Sequence, residues 1–183
     1  MYEAVYENKT GETKSWMLAT RKSEEETNNR FFGKDEPHAD AVLIIALHVE
    51  TKSIACVKQF RIPINNYIYE LPAGLIDPGE NIYNSLKREL KEETGLDLIK
   101  LLPSFSCSNL YLSPGMTDES VALVICTCEG EISTQYLEPD EDIEPMLINK
   151  DDAKRILQSS EPKDIKLHLV LQEFVEGMYD EVL

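Results

Sequence analysis

The distribution of apolar and polar positions along the chain divides it into short strands and three helices. YEAVYEN and SWMLATRK flank KTGET, a turn signal with Gly11, and predict an N-terminal hairpin. KSEEETNNRFFGKDEPH is mostly polar and charged and is expected to be a loop. DAVLIIALHV is a continuous apolar run, as in a central strand buried on both faces. KSIACVKQFRI is a second strand, PINN a turn, and YIYELPAGL a short extended stretch in which Pro72 stops any helix. After Gly79, Ile82, Leu86 and Leu90, with Tyr83 less strictly, recur at helical spacing, and Gly95 suits the helix end. LIKLLPSFSCSNLYL and SVALVICTCEG predict strands on either side of the loop SPGMTDE. EPDEDIEP is expected to be an acidic loop, MLIN a short strand and KDDAKRILQSS a helix. The last 21 residues predict a longer helix with Ile165, Leu169, Phe174, Met178 and Tyr179 on one face. Strands interleaved with helices imply an α/β layered domain around a mixed sheet.

Composition narrows the function classes. A chain of 183 residues with 42% hydrophobic positions is expected to be one globular domain with at most a small extension. The net charge of −16 argues against a nucleic-acid surface, and it repels phosphates unless cations neutralise the site. No apolar run is long enough to span a membrane, and the first residues do not read as a secretory leader, so the cytoplasm is the expected location. Cys56, Cys107, Cys126 and Cys128 form no CxxC pair and are expected to be buried thiols rather than ligands.

The acidic stretch GLIDPGENIYNSLKRELKEETGL carries the chemistry. Glu89 and Glu93 are four residues apart on the predicted helix and point the same way, and Glu92 borders that face. Like charges so placed cost stability as a merely solvated face. As three hard oxygen ligands they suit Mg²⁺, with Mn²⁺ as the alternative. Such a metal could bring a diphosphate to an acidic protein, activate water and offset charge developing on phosphorus. Arg88 points about 100° away from Glu89. It is expected to return to a carboxylate before the helix, such as Glu80, and to orient ligands. Gly74 and Gly79 would let that loop approach the helix, and the Ala73 carbonyl is a further candidate metal ligand.

The complete spacing is G-x5-E-x7-R-E-U-x-E-E-x-G-U, with U a bulky aliphatic residue. It is filled without exception by Gly74, Glu80, Arg88, Glu89, Leu90, Glu92, Glu93, Gly95 and Leu96. This resembles the signature box of the Nudix hydrolases. The resemblance implies the Nudix α/β/α sandwich, here with an N-terminal β-hairpin extension (residues 1–36) before the Nudix domain (37–183). It also implies Mg²⁺-dependent hydrolysis of a nucleoside diphosphate linked to another group, with metal on Glu89, Glu92 and Glu93. A non-catalytic nucleotide-sensing module would be expected to lose box glutamates, and none is lost.

The flanks are similar to the ADP-ribose and ADP-sugar pyrophosphatase branch of that family. KQFRIPINNYIYELPAGLIDPGE and SPGMTDE carry the likeness. It implies that Arg61 contacts substrate phosphate or ribose, that Leu75 and Met116 line the pocket, and that Trp16, with Tyr6 in the same hairpin, lies where the adenine is held. The branch places a general base or additional metal ligand in an acidic loop near E-x-E-D-I. Here that loop is LEPDEDIEP, so Glu141 is the preferred catalytic and metal-binding candidate. Pro139 stands where another acid is expected, which leaves Glu138, Asp140 or a box glutamate as alternatives. The resemblance also implies homodimers in which the hairpin reaches the partner's site. Hydrolysis of another nucleoside diphosphate sugar, such as GDP-mannose, or of a dinucleotide is the alternative to ADP-ribose.

Overall fold

The computed structural model describes residues 1–33, 38–139 and 141–183. The expected boundary between residues 36 and 37, and the candidate Asp140, lie outside the described residues. Ten strands and four α-helices follow in order: β1 (Tyr2–Glu7), β2 (Thr13–Leu18), α1 (Glu24–Phe31), β3 (Ala41–His48), β4 (Ser53–Arg61), β5 (Asn66–Glu70) and β6 (Ala73–Leu75). Then come α2 (Ile82–Thr94), β7 (Asp97–Leu101), β8 (Cys107–Tyr111), β9 (Ser120–Glu129), β10 (Ile143–Ile148), α3 (Lys150–Gln158) and α4 (Ile165–Val175).

The apolar run at 41–48 is the centre of the molecule. All eight residues of β3 are buried. Period-two alternation sends Val42, Ile44 and Ala46 to one face, where they pack with Leu86 and Leu90 of α2. Leu43, Ile45 and Leu47 go to the other face, against Leu167, Leu171 and Phe174 of α4 and Ala153 of α3. This is an α/β/α sandwich. The main sheet runs β10-β4-β3-β9-β7, with β5 on β4, β6 on β3 and β8 on β9. The β3–β9 pair is parallel, and the other ladders between strands are antiparallel, so the sheet is mixed as expected. Strands β1 and β2 form a separate hairpin. Among the described residues, no helix is long and apolar enough to cross a membrane.

Several expected elements differ. The polar stretch after residue 22 contains α1. Ser23 caps it by accepting from the Glu26 N–H at 3.2 Å, while the Glu26 carboxylate accepts from the Ser23 N–H at 2.7 Å. Only Thr27 of α1 is buried, so no apolar stripe announced it. The long run from Leu98 to Leu112 is broken by a 3₁₀ turn at Pro103–Phe105, where proline removes a ladder donor. MLIN is the second half of a strand that begins at Ile143. Pro145 is accommodated because β10 is an edge strand.

Tyr83 is exposed rather than on the buried stripe of α2. The last helix stops at Val175, and its buried face is Leu167, Val170, Leu171 and Phe174. Ile165, Leu169 and Met178 are exposed, whereas Tyr179 is buried as expected. The apolar composition of this segment permitted two helical stripes, and the sheet selected one. Cys56, Cys126 and Cys128 are buried thiols, and Cys107 is exposed.

Candidate active site

Helix α2 presents the acidic patch because both of its ends are fixed. Asn81 caps it by accepting from the Asn84 N–H at 3.0 Å. Gly95 takes φ 78° at its end, a conformation that costs a side-chain-bearing residue, and its N–H bonds the Lys91 carbonyl at 2.9 Å. With Leu86 and Leu90 facing the sheet, Glu89 and Glu93 are turned toward β6 and are buried, whereas Glu92 is half-exposed.

Strand β6 meets these carboxylates directly. The Ala73 N–H donates to Glu93 Oε2 at 3.0 Å. The Glu89 carboxyl group occupies the space a Cβ on Gly74 would take, so the glycine is required for close approach. Desolvation pushes the Glu93 carboxyl up to about 8, the N–H of Ala73 opposing it. Desolvation also raises Glu89, against the pull of Arg88.

Arg88 organises the rest. Its Nε and Nη2 donate to the two oxygens of Glu80 at 3.2 and 2.9 Å, and Nη2 also donates to the Leu75 carbonyl at 2.9 Å. Nη1 donates to Glu89 at 2.7 Å and to Glu92 at 3.0 Å. The expected return of Arg88 to Glu80 is thus observed. The Arg88 bonds, with a further donor in Ser85 Oγ at 2.5 Å, hold the Glu80 carboxyl at about 2.

These residues fit a divalent cation. The side-chain donors of the patch are carboxylate oxygens, which are hard ligands. Two of the carboxylates are buried with raised pKa, and among the described residues only Arg88 bonds one of them with a full positive charge. A divalent cation held by these carboxylates would supply the missing counter-charge. Among the described residues no three His, Cys, Asp or Glu side chains are already grouped as a metal-ion site. Arg88 Nη1 bridges Glu89 and Glu92.

A cavity of about 470 Å³ opens beside the patch, lined by Arg61, Glu70, Ala73, Gly74, Leu75 and Lys166 among others. Arg61 and Leu75 therefore line one cavity. Arg61 is held by Glu70, at 2.8 Å from Nε and 2.7 Å from Nη2, and its charge also acts on Glu93. Glu141 is half-buried in the loop before β10, a strand that contacts α2, and its charge raises both Glu89 and Glu93. Its carboxylate accepts from the Glu138 N–H at 2.9 Å, while Glu138 itself is exposed.

Trp16 and Met116 do not line this cavity. Trp16 is 53% exposed, which excludes a place in the core, and its indole N–H donates to the Gly115 carbonyl at 3.2 Å. The Met116 side chain is exposed and its carbonyl accepts from the Ala19 N–H at 2.9 Å. The hairpin and the SPGMTDE loop are thereby tied together at the edge of the site. An adjoining cavity of about 530 Å³, lined by Arg21, Lys22, Asp40, Leu75, Asp118 and Glu119 among others, connects that edge to the patch through Leu75.

Sequence reasoning did not single out Glu70, Lys166, Arg21 or Glu119. Glu70 had a signal, since it opens the ELPAG segment. Glu119 had one too, as the last residue of SPGMTDE, whereas Arg21 and Lys166 come from a turn and a distant helix that only the fold brings to the cavity.

The NUDIX domain family model matches residues 37–168. The chain is 36% identical to a Bacillus subtilis protein named ADP-ribose pyrophosphatase, over 74% of this chain and 71% of that protein. It is 33% identical to a Mus musculus ADP-sugar pyrophosphatase, over 70% of this chain and 55% of the relative. It is also 33% identical to a Saccharomyces cerevisiae ADP-ribose pyrophosphatase, over 73% and 53%. The chain thus matches about half the length of the mouse and yeast relatives. Box residues brought together on α2 and β6, and a family match across most of the chain, lead to one assignment: this protein belongs to the Nudix hydrolase family.

Proposed function

We propose that the protein hydrolyses the diphosphate of ADP-ribose and related ADP-sugars, giving AMP and, from ADP-ribose, ribose 5-phosphate. The observation that carries this reading is the meeting of Glu89 and Glu93 with β6 beside a cavity that holds Arg61. Three relatives named as pyrophosphatases of these compounds support the substrate class.

Glu89, Glu92, Glu93 and the Ala73 carbonyl, with Glu141 from the loop, are the residues that would hold Mg²⁺, or Mn²⁺ in its place. A bound divalent cation supplies charge neutralisation at the diphosphate and lowers the pKa of water. The chain's own residues do the rest. Arg61, held on a strand by Glu70, offers its remaining guanidinium donors to a phosphate or ribose oxygen. Leu75 walls the cavity and excludes water beside the reacting phosphorus. Arg88 keeps the box carboxylates oriented without touching substrate. Glu141 accepts a proton from the attacking water. Trp16 offers a flat, exposed ring for the base, with Met116 beside it.

The same reading places the protein in the cytoplasm, as a homodimer whose hairpin (residues 1–36) reaches the partner's site while residues 37–183 form the catalytic domain. Purified protein incubated with ADP-ribose and Mg²⁺ should release equimolar AMP and ribose 5-phosphate by chromatography. ADP-ribose left intact, with another nucleoside diphosphate consumed in a panel, would overturn the substrate choice.

A further inference from the structure

Tyr67 of β5 stands opposite Phe60 of β4, and their rings meet edge-to-face, with centroids 5.3 Å apart at 71°. On the other side of β4, β10 begins with Ile143 opposite Gln59. The ladder extends one residue further, because the Phe60 N–H donates to the Asp142 carbonyl at 3.2 Å. The Tyr67 hydroxyl reaches past Phe60 and donates to Asp142 Oδ2 at 2.5 Å. Asp142 is thus held through both its backbone and its side chain. The bond to Asp142 raises the Tyr67 pKa, in keeping with a phenol that donates to a carboxylate. Immediately before Asp142 lies Glu141, which closes a turn by two bonds to Glu138, at 3.1 Å from its own N–H and 2.9 Å to its carboxylate. That carboxylate is the one whose charge acts on Glu89 and Glu93.

We infer that Tyr67 is a positioning residue: its hydroxyl, through Asp142, fixes the acidic turn that carries Glu141 beside the Glu89 and Glu93 patch. This rests on the reading of Glu141 as proton acceptor. Both partners are exposed, so their hydrogen bond contributes little to global stability. Its consequence is local. A general base displaced by about 1 Å loses rate while substrate binding persists.

The test combines kinetics on ADP-ribose with amide exchange across residues 137–142 of the metal-free protein, for wild type, Tyr67→Phe, Asp142→Asn and the double variant Tyr67→Phe with Asp142→Ala. Tyr67→Phe should lower kcat about 5- to 50-fold with KM changed less than about twofold, and should speed exchange in the turn. Asp142→Asn keeps an amide oxygen as acceptor and should stay within about threefold of wild type. The double variant should be no slower than Tyr67→Phe by more than about twofold, because both changes remove one contact. An unchanged kcat in Tyr67→Phe, or a fall without faster exchange, overturns the inference. Wild-type protein inert toward ADP-ribose would instead refute the substrate reading. Exchange would then decide alone whether Tyr67 holds the turn.

Discussion

The Glu89 carboxyl group fills the space into which a Cβ on Gly74 would project. Glu89 is buried and held by Arg88, so it has little freedom to yield. Gly74→Ala should therefore displace the carboxylate more than it disturbs the fold. The expected stability loss is about 1–3 kcal/mol, measured by denaturant unfolding. Turnover should fall by at least about 100-fold, a larger effect than that loss accounts for at temperatures where the variant is folded.

Glu93 gives a pH-dependent signature. Burial pushes its carboxyl up to about 8 in the folded protein, from an ordinary value of 4.5. Between these values the folded chain holds a proton that the unfolded chain has released. The contribution of this group is complete below 4.5 and is lost as pH rises through about 8. The Tm of metal-free protein should accordingly fall from this cause between about pH 5 and 8.5, and Glu93→Gln should flatten that slope. Stabilisation by added Mg²⁺ should grow over the same range, because the ligand must be deprotonated. Glu93→Gln should fold and yet lose turnover by orders of magnitude; unchanged turnover would refute its role in holding metal.

Arg88 has the opposite pH dependence through Glu80, whose carboxyl is held at about 2. That stability is present above 4.5 and is lost as pH falls toward 2. Arg88→Ala should cost about 1–3 kcal/mol at neutral pH and remove part of the acid limb of the unfolding profile. Arg88→Lys should restore less than half of the loss, because an ammonium cannot span Glu80, the Leu75 carbonyl, Glu89 and Glu92 together.

Trp16 separates base binding from chemistry. Its ring is half-exposed and outside both core clusters. Trp16→Ala should leave Tm within about 2 °C of wild type and raise KM for ADP-ribose about 5- to 100-fold, the range expected for loss of base stacking. A KM unchanged in steady-state kinetics would remove Trp16 from the substrate site.

The chemistry of α2 was legible in the chain because its spacing is local. Glu89, Glu92, Glu93 and Arg88 sit on one helix, and 3.6-residue periodicity alone dictates which of them share a face. The central strand was equally plain, since an unbroken apolar run suits only a position covered on both sides. Tertiary structure decided what depends on distant partners. The fold buries Glu93, which pushes its carboxyl up to about 8, and brings to it the Ala73 N–H of β6 from twenty residues earlier. The union of Arg61 with Glu70 comes from the pairing of β4 and β5, and Lys166 reaches their cavity from α4. Capping alone starts α1, so a pattern of apolar positions passed over it. Tyr67 and Asp142, 75 residues apart, meet only because β5 and β10 flank the same strand. Spacing along one helix is set by covalent geometry, whereas strand neighbours are set by which ladders close, and that is a property of the whole sheet.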